Sequence, residues 1–143
     1  MTACVLDACV AAKWFLIGPE EANTEEALRI LQGFDRNEIQ LLVPGLFWAE
    51  LANILWKAVR RQRISPTAAE RAIRDLDPTQ FVTTPTQALW QPAFAIAAAY
   101  DRSVYDCVYV ALAAHLSTPL VTADERLANA LGGYFPVRFL GSW

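Results

Sequence analysis

Short apolar runs alternate with longer stretches of helical period along the whole chain. The runs ACVLDA (3–8), IQLLVP (39–44), QFVTTP (80–85), TPLVTA (118–123) and PVRFL (136–140) have the length and β-branched content of buried strands. Between them lie segments whose apolar residues recur every three or four positions. These predict helices over CVAAKWFL (9–16), NTEEALRILQGF (23–34), 46 to about 61, SPTAAERAIRDL (65–76), TQALWQPAFAIAAAY (86–100), VYDCVYVALAAHL (104–116) and ERLANAL (125–131). Punctuation supports the boundaries. Asn23 or Thr24, Ser65 and Ser103 are candidate caps, Pro66 suits a first helical position, and Pro92 predicts a kink or late start. Pro44–Gly45 and Gly132–Gly133 end a strand and a helix. Strands alternating with helices predict an α/β fold, with a central parallel sheet of about four or five strands flanked by helices on both faces.

Four acids break this apolar pattern. Asp7 lies in ACVLDACVAA, Glu50 in LFWAELANILW, Asp106 in VYDCVYVALAA and Asp124 in PLVTADERLA. An ionised carboxylate taken from water without a partner is costly, so such groups are paired, hydrogen-bonded, metal-bound or neutralised. Asp7 and Asp124 each follow an apolar strand, at the carboxyl edge where open parallel sheets bind ligands. Asp106 opens a helix, where free backbone N–H groups favour negative charge, and Glu50 sits early in its own helix. All four can converge on one edge of the sheet as an oxygen-ligand site for a hard divalent ion.

Composition narrows the class. With 143 residues, 55% hydrophobic and 19% charged, the chain is expected to form a single domain over 1–143 around a substantial core. Asp7, Lys13, Glu50 and Pro92 interrupt every stretch that approaches a membrane span, and Asp7 also spoils the N-terminus as a signal peptide. Cys4, Cys9 and Cys107 have no metal-site spacing and read as reduced thiols of a cytoplasmic protein. The single histidine, His115, excludes sites that need two and fits a helix end. A net charge of −3 argues against a protein that coats nucleic acid non-specifically, while KAVRRQR (57–63), followed by Arg71 and Arg74, is either a solvated helix end or a rim that tracks phosphates.

The segments LDACVAAKWFL, PGLFWAELANIL, SVYDCVYVALA and LVTADERLA, spanning residues 1 to about 130 in this order, resemble the PIN-domain nucleases, and within them the VapC-type toxins of toxin–antitoxin pairs. The resemblance implies a PIN-like fold and Mg²⁺-dependent endoribonuclease activity, with Mn²⁺ able to substitute. It also implies an RNA substrate, a cognate antitoxin and a homodimer. The family's catalytic and metal-coordinating roles fall on Asp7, Glu50, Asp106 and Asp124. One departure is Cys9, two residues after the first acid, where the family often has Ser or Thr; a thiol is the poorer hydrogen-bonding group.

Other residues have competing readings. Asp106 and Asp124 also suit helix caps, Glu50 a pairing with Lys13 or an arginine, and Asn53 a structural amide. Lys13 fits either a phosphate contact or a snorkelling surface position, and Ser103 and Thr122 fit caps or supports of the acids. Trp14, Phe15, Trp48 and Trp56 suit the core or a partner more than RNA stacking. Phe47, Trp48, Leu51, Leu55 and Trp56 make the first half of the 46–61 helix so apolar that part of it is expected to form a groove for an antitoxin helix or a dimer contact. A binding module with little catalysis is the competing function. A phospho-aspartate phosphatase ranks lower, because Ala8, Cys9 and Val10 follow Asp7 where a second acid is wanted.

Overall fold

The computed structural model describes residues 1–143. Five strands form one parallel sheet: β1 (Thr2–Leu6), β2 (Ile39–Pro44), β3 (Val82–Thr84), β4 (Leu120–Thr122) and β5 (Val137–Phe139), in the order β3-β2-β1-β4-β5. Every pairing is parallel, with Cys4 beside Leu41, Leu6 beside Val121 and Thr122 beside Phe139. Parallel neighbours need long crossovers, and seven helices supply them: α1 (Ala8–Ala12), α2 (Thr24–Asp35), α3 (Leu46–Arg60), α4 (Pro66–Asp75), α5 (Trp90–Tyr100), α6 (Val104–Leu116) and α7 (Glu125–Leu131). Cys4, Val5 and Leu6 are all fully buried. Successive strand residues point to opposite faces, so both faces of the sheet are covered, as the continuous apolar runs require.

α6 is the central helix. Cys107 to Ala113 are all buried, so packing surrounds it. α3 is amphipathic instead: Phe47, Leu51, Leu55 and Ala58 face the core, where Phe47 meets Phe81 at a ring-centroid distance of 5.8 Å. This corrects the expected groove. Phe47, Leu51 and Leu55 are interior, Trp48 is half-buried edge-on against Phe47 and Phe81, and of that set only Trp56 is exposed. Other large apolar side chains left in water include Trp90 and Phe94 of α5 and Tyr105 at the start of α6.

Several boundaries follow the expected chemistry. The Ser65 hydroxyl accepts from Ala68 N at 3.1 Å with Pro66 opening α4, and Pro92 lies in the first turn of α5, which starts late after a 3-10 turn. Gly132 closes α7 because a side chain there would meet the Ala128 carbonyl at 2.5 Å. Two elements differ from expectation. The helix after Asp7 stops at Ala12 instead of running to Leu16, and Trp14 turns inward to donate its indole N–H to the Ala27 carbonyl at 2.9 Å. Asn23 occupies the cap of α2 with a left-handed φ of 57° and makes no side-chain cap bond.

Candidate active site

The sheet order reverses between β1 and β4, because connections from β1 first go outward to β2 and β3 and then return to β4 and β5. The crevice at the carboxyl ends of those two strands is the topological switch point, where such sheets bind ligands. Asp7 stands there as the N-cap of α1. Its Oδ1 accepts from Cys9 N at 3.3 Å, and its Oδ2 accepts from the Thr122 hydroxyl at 2.8 Å. Thr122, the last residue of β4, is fully buried, and its oxygen also accepts from Asp124 N at 3.0 Å. One hydroxyl therefore ties the two strand ends together. Cys9 adds a weaker link: its sulfur accepts from Ala123 N at 3.4 Å and lies 3.8 Å from the Thr122 hydroxyl. Asp124 is exposed at the rim, where its Oδ1 caps α7 through Leu127 N at 3.2 Å.

Two helices complete the edge. Ser103 caps α6 by accepting from Asp106 N at 3.1 Å, which sets Asp106 in the first turn with its carboxylate half-buried. Tyr109 follows three residues later, on the same face of α6. Its hydroxyl donates to Glu50 Oε1 at 2.6 Å, a short bond of the charge-assisted kind. α6 thus carries one acid itself and holds a second acid on α3.

Electrostatics show that the acids sense one another. Burial pushes the Asp7 carboxyl above its ordinary range; hydrogen bonds from Thr122 and Cys9 oppose this, and the Asp106 charge adds to the rise. Burial also raises Glu50, with the Tyr109 bond opposing and the charges of Asp7 and Asp106 adding. Asp106 rises through burial and repulsion from Asp124, against its bond with Ser103 and the attraction of Arg102. Burial, then the Asp7 charge, drives the Cys9 thiol well above its usual value and keeps it neutral. None of the four acids joins an ion pair.

All-oxygen donors with uncompensated charge suit a hard divalent cation. As the side chains stand, no three acid, histidine or cysteine groups are gathered tightly enough to clasp one ion. The hydrogen bonds explain the spacing. Both Asp7 oxygens are engaged, Glu50 leans to Tyr109, Asp124 turns back to cap α7, and like charges push apart. Each of these bonds leaves the accepting carboxylate oxygen a further lone pair.

The remaining candidates fall as follows. Lys13 is paired with Glu21 at 3.1 Å and not with Glu50. Asn53 is exposed one turn beyond Glu50, and His115 is exposed in the last turn of α6. A cleft of about 390 Å³ lined by Leu89, Pro92, Ile96 and His115 contains no carboxylate, so this chemistry is not located there. Sequence reasoning missed Tyr109 and Arg102. The spacing of Tyr109 from Asp106 was a usable signal. Arg102 offers none, yet its Nε is buried without a partner while its charge acts on Asp106.

Comparison with known proteins agrees with this fold. The family model of the PIN domain matches residues 4–131. The chain is 33% identical over 98 residues to ribonuclease VapC9 of Mycobacterium tuberculosis, covering 68% of this chain and 76% of that one. Its fold is similar to the crystal structure of PAE2754 from Pyrobaculum aerophilum, with a TM-score of 0.70 and 22% identity over 99% of this chain and 85% of that one. A toxin–antitoxin complex from Klebsiella pneumoniae matches with a TM-score of 0.63 and 15% identity, covering 96% and 97%. With its acids at the switch point of a five-stranded parallel sheet, the chain belongs to the PIN-domain family and, within it, to the VapC ribonucleases.

Proposed function

We propose that this protein is a divalent-metal-dependent endoribonuclease that acts in the cytoplasm as the toxin of a toxin–antitoxin pair. The observation that carries the reading is the set Asp7, Glu50 and Asp106. These carboxylates are partly buried, mutually repelling and without a cationic ion-pair partner, an arrangement that costs stability unless a cation joins it. Asp7 and Asp106 hold the ion, Mg²⁺ with Mn²⁺ as a substitute, and Asp124 completes the set from the rim. Such an ion supplies Lewis-acid stabilisation of the phosphate and makes water more acidic. Glu50, fixed through Oε1 by Tyr109, directs its free oxygen to orient the attacking water and take its proton. Thr122 opposes the burial-driven rise of the Asp7 pKa and anchors that carboxylate at the crevice. Attack of that water on phosphorus with cleavage of the P–O3′ bond, the 3′-oxygen leaving and taking up a proton, gives a 5′-phosphate and a 3′-hydroxyl.

The apolar face of α5, with Trp90 66% and Phe94 67% exposed, supports a protein contact, which we assign to a second copy of the chain. An antitoxin completes the partner set, in line with the toxin–antitoxin complex that shares the fold. The deciding experiment compares wild type with folded Asp7→Asn on total cellular RNA in Mg²⁺, Mn²⁺ or EDTA. Cleavage that needs the metal and disappears in Asp7→Asn is expected. Cleavage in EDTA, undiminished cleavage by Asp7→Asn, or no cleavage by metal-loaded wild type overturns the reading.

A further inference from the structure

α3 carries Glu50 to the acid edge and then continues to Arg60, with Arg61 as its C-cap. At 3.6 residues per turn, Glu50, Lys57 and Arg61 fall within roughly 20° of one line along the helix. Asn53, Trp56 and Arg60 occupy the flank beside that line, and all three are exposed, as are Lys57 and Arg61. Phe47, Leu51, Leu55 and Ala58 take the opposite, buried side. The rise of the helix places Lys57 about 10 Å and Arg61 about 16 Å from Glu50 along the axis.

The charge on this stripe is unspent. Arg63 is held by Glu20 and Glu21, Lys13 shares Glu21, and Arg29 meets Glu26, whereas Lys57, Arg60 and Arg61 form no ion pair. A helix C-terminus explains cations there, but not the indole among them. Trp56 is 54% exposed, and the Arg60 guanidinium lies over it at 5.0 Å from the ring centroid. Two shallow depressions adjoin through Lys57 and Arg61. One, of about 330 Å³, also touches Trp56 and Arg60. The other, of about 210 Å³, has Leu16, Ile54 and Ala58 as its apolar part. Cations lining both depressions, apolar residues in the second and a half-exposed indole in the first together match a chain of phosphates that carries unstacked bases.

We infer that this stripe of α3, Lys57, Arg60 and Arg61 with Trp56, is a binding rail for single-stranded RNA that leads the strand to Glu50. The inference rests on the nuclease reading above for its biological purpose. The rail answers a physical difficulty: a chain of net charge −3 with an acidic site repels RNA, and a local cationic track beside the acids offsets that repulsion. An acidic peptide satisfies the cations but not the indole, so RNA is the better match.

The test is fluorescence anisotropy with a labelled 12-nucleotide single-stranded RNA and Asp7→Asn protein, in Mg²⁺ and from 50 to 250 mM salt. Adding Lys57→Ala, Arg60→Ala and Arg61→Ala together is expected to weaken binding roughly 100-fold near 0.1 M salt and to reduce the slope of log affinity against log salt by about 2. Trp56→Ala is expected to weaken it about 10-fold with little change in slope. Unchanged affinity and slope in the triple variant overturn the inference, as does a 12-residue oligoglutamate that displaces the RNA at equal concentration. Wild-type cleavage of total RNA is measured in parallel. Binding through the rail without cleavage sinks the nuclease reading alone, and cleavage with rail-independent binding sinks the rail alone.

Discussion

Replacing Tyr109 by Phe removes from the site one hydroxyl that serves both Glu50 and the Ala8 N–H. The Tyr109 ring is 1% exposed within the packing of α6, and Phe fills the same space without the oxygen. The oxygen donates to Glu50 Oε1 at 2.6 Å and accepts from the buried Ala8 N–H. Deleting it leaves the Ala8 N–H without that acceptor, while the half-buried Glu50 can take a water instead. The expected stability loss is therefore about 2 kcal/mol, or roughly 6 °C in Tm for a chain of this size. Catalysis of the folded protein is expected to suffer as well, because Glu50 regains rotamer freedom and loses a charge-assisted bond. About 1.4 kcal/mol at the transition state is a 10-fold fall in kcat, with KM nearly unchanged because Tyr109 does not face the substrate. The bond holds the raised Glu50 pKa down, so its loss moves the acidic limb of the pH–rate profile to higher pH. The assay is steady-state cleavage of a fluorogenic oligoribonucleotide from pH 5 to 9, with circular dichroism as the folding control. A folded Tyr109→Phe protein with wild-type kcat and an unmoved acidic limb refutes the assignment of Glu50 as base and Tyr109 as its support.

Three further outcomes follow from the same geometry. Asp7, Glu50 and Asp106 all have folded pKa values above their ordinary 3.8, 4.5 and 3.8, so the native state binds more protons there than the unfolded chain. Their contribution is greatest below those ordinary values and is lost as pH rises through the raised ones. Calorimetry in EDTA should show a fall in Tm between pH 4.5 and 7.5 that is shallower in Asp7→Asn and reversed by Mg²⁺; an identical slope in the variant counts against the coupling. Thr122→Val strands both Asp7 Oδ2 and Asp124 N, and is expected to cost about 2 kcal/mol, near 6 °C, while Thr122→Ser recovers most of it. The thiols of Cys4 and Cys107, pushed by burial to about 12 and about 11, and that of Cys9, should resist Ellman's reagent at pH 8 until the protein is unfolded in guanidinium; rapid labelling of the native protein contradicts their burial.

The exposed face of α5 bears on how these measurements are made. Trp90 and Phe94 stand one turn apart and exposed on α5, whose only buried residue is the small Ala93. If that face joins two copies, the apparent Tm depends on protein concentration, so stability comparisons between variants belong at one concentration.

Much of this protein is local and was therefore legible in its sequence. Strand β2 runs from Ile39 to Pro44 as its apolar run predicts, and Ser65 and Ser103 cap their helices, because a cap bond spans only three residues. The four acids stood out for the same reason: each interrupts an apolar pattern whose period is set by neighbours along the chain. Distant pairings were not legible. Thr122 meets Asp7 across 115 residues and Tyr109 meets Glu50 across 59, and both depend on which strands become neighbours at the switch point. The same holds for α3, whose apolar half suggested a groove until Phe81 met Phe47, and Leu51 and Leu55 turned into the core. It holds equally for Asp124, which follows a buried strand yet ends in solvent at the rim. Periodicity states that a face must be covered. Only the packing of the whole chain decides what covers it, because burial is won by area and fit and carries no direction along the sequence.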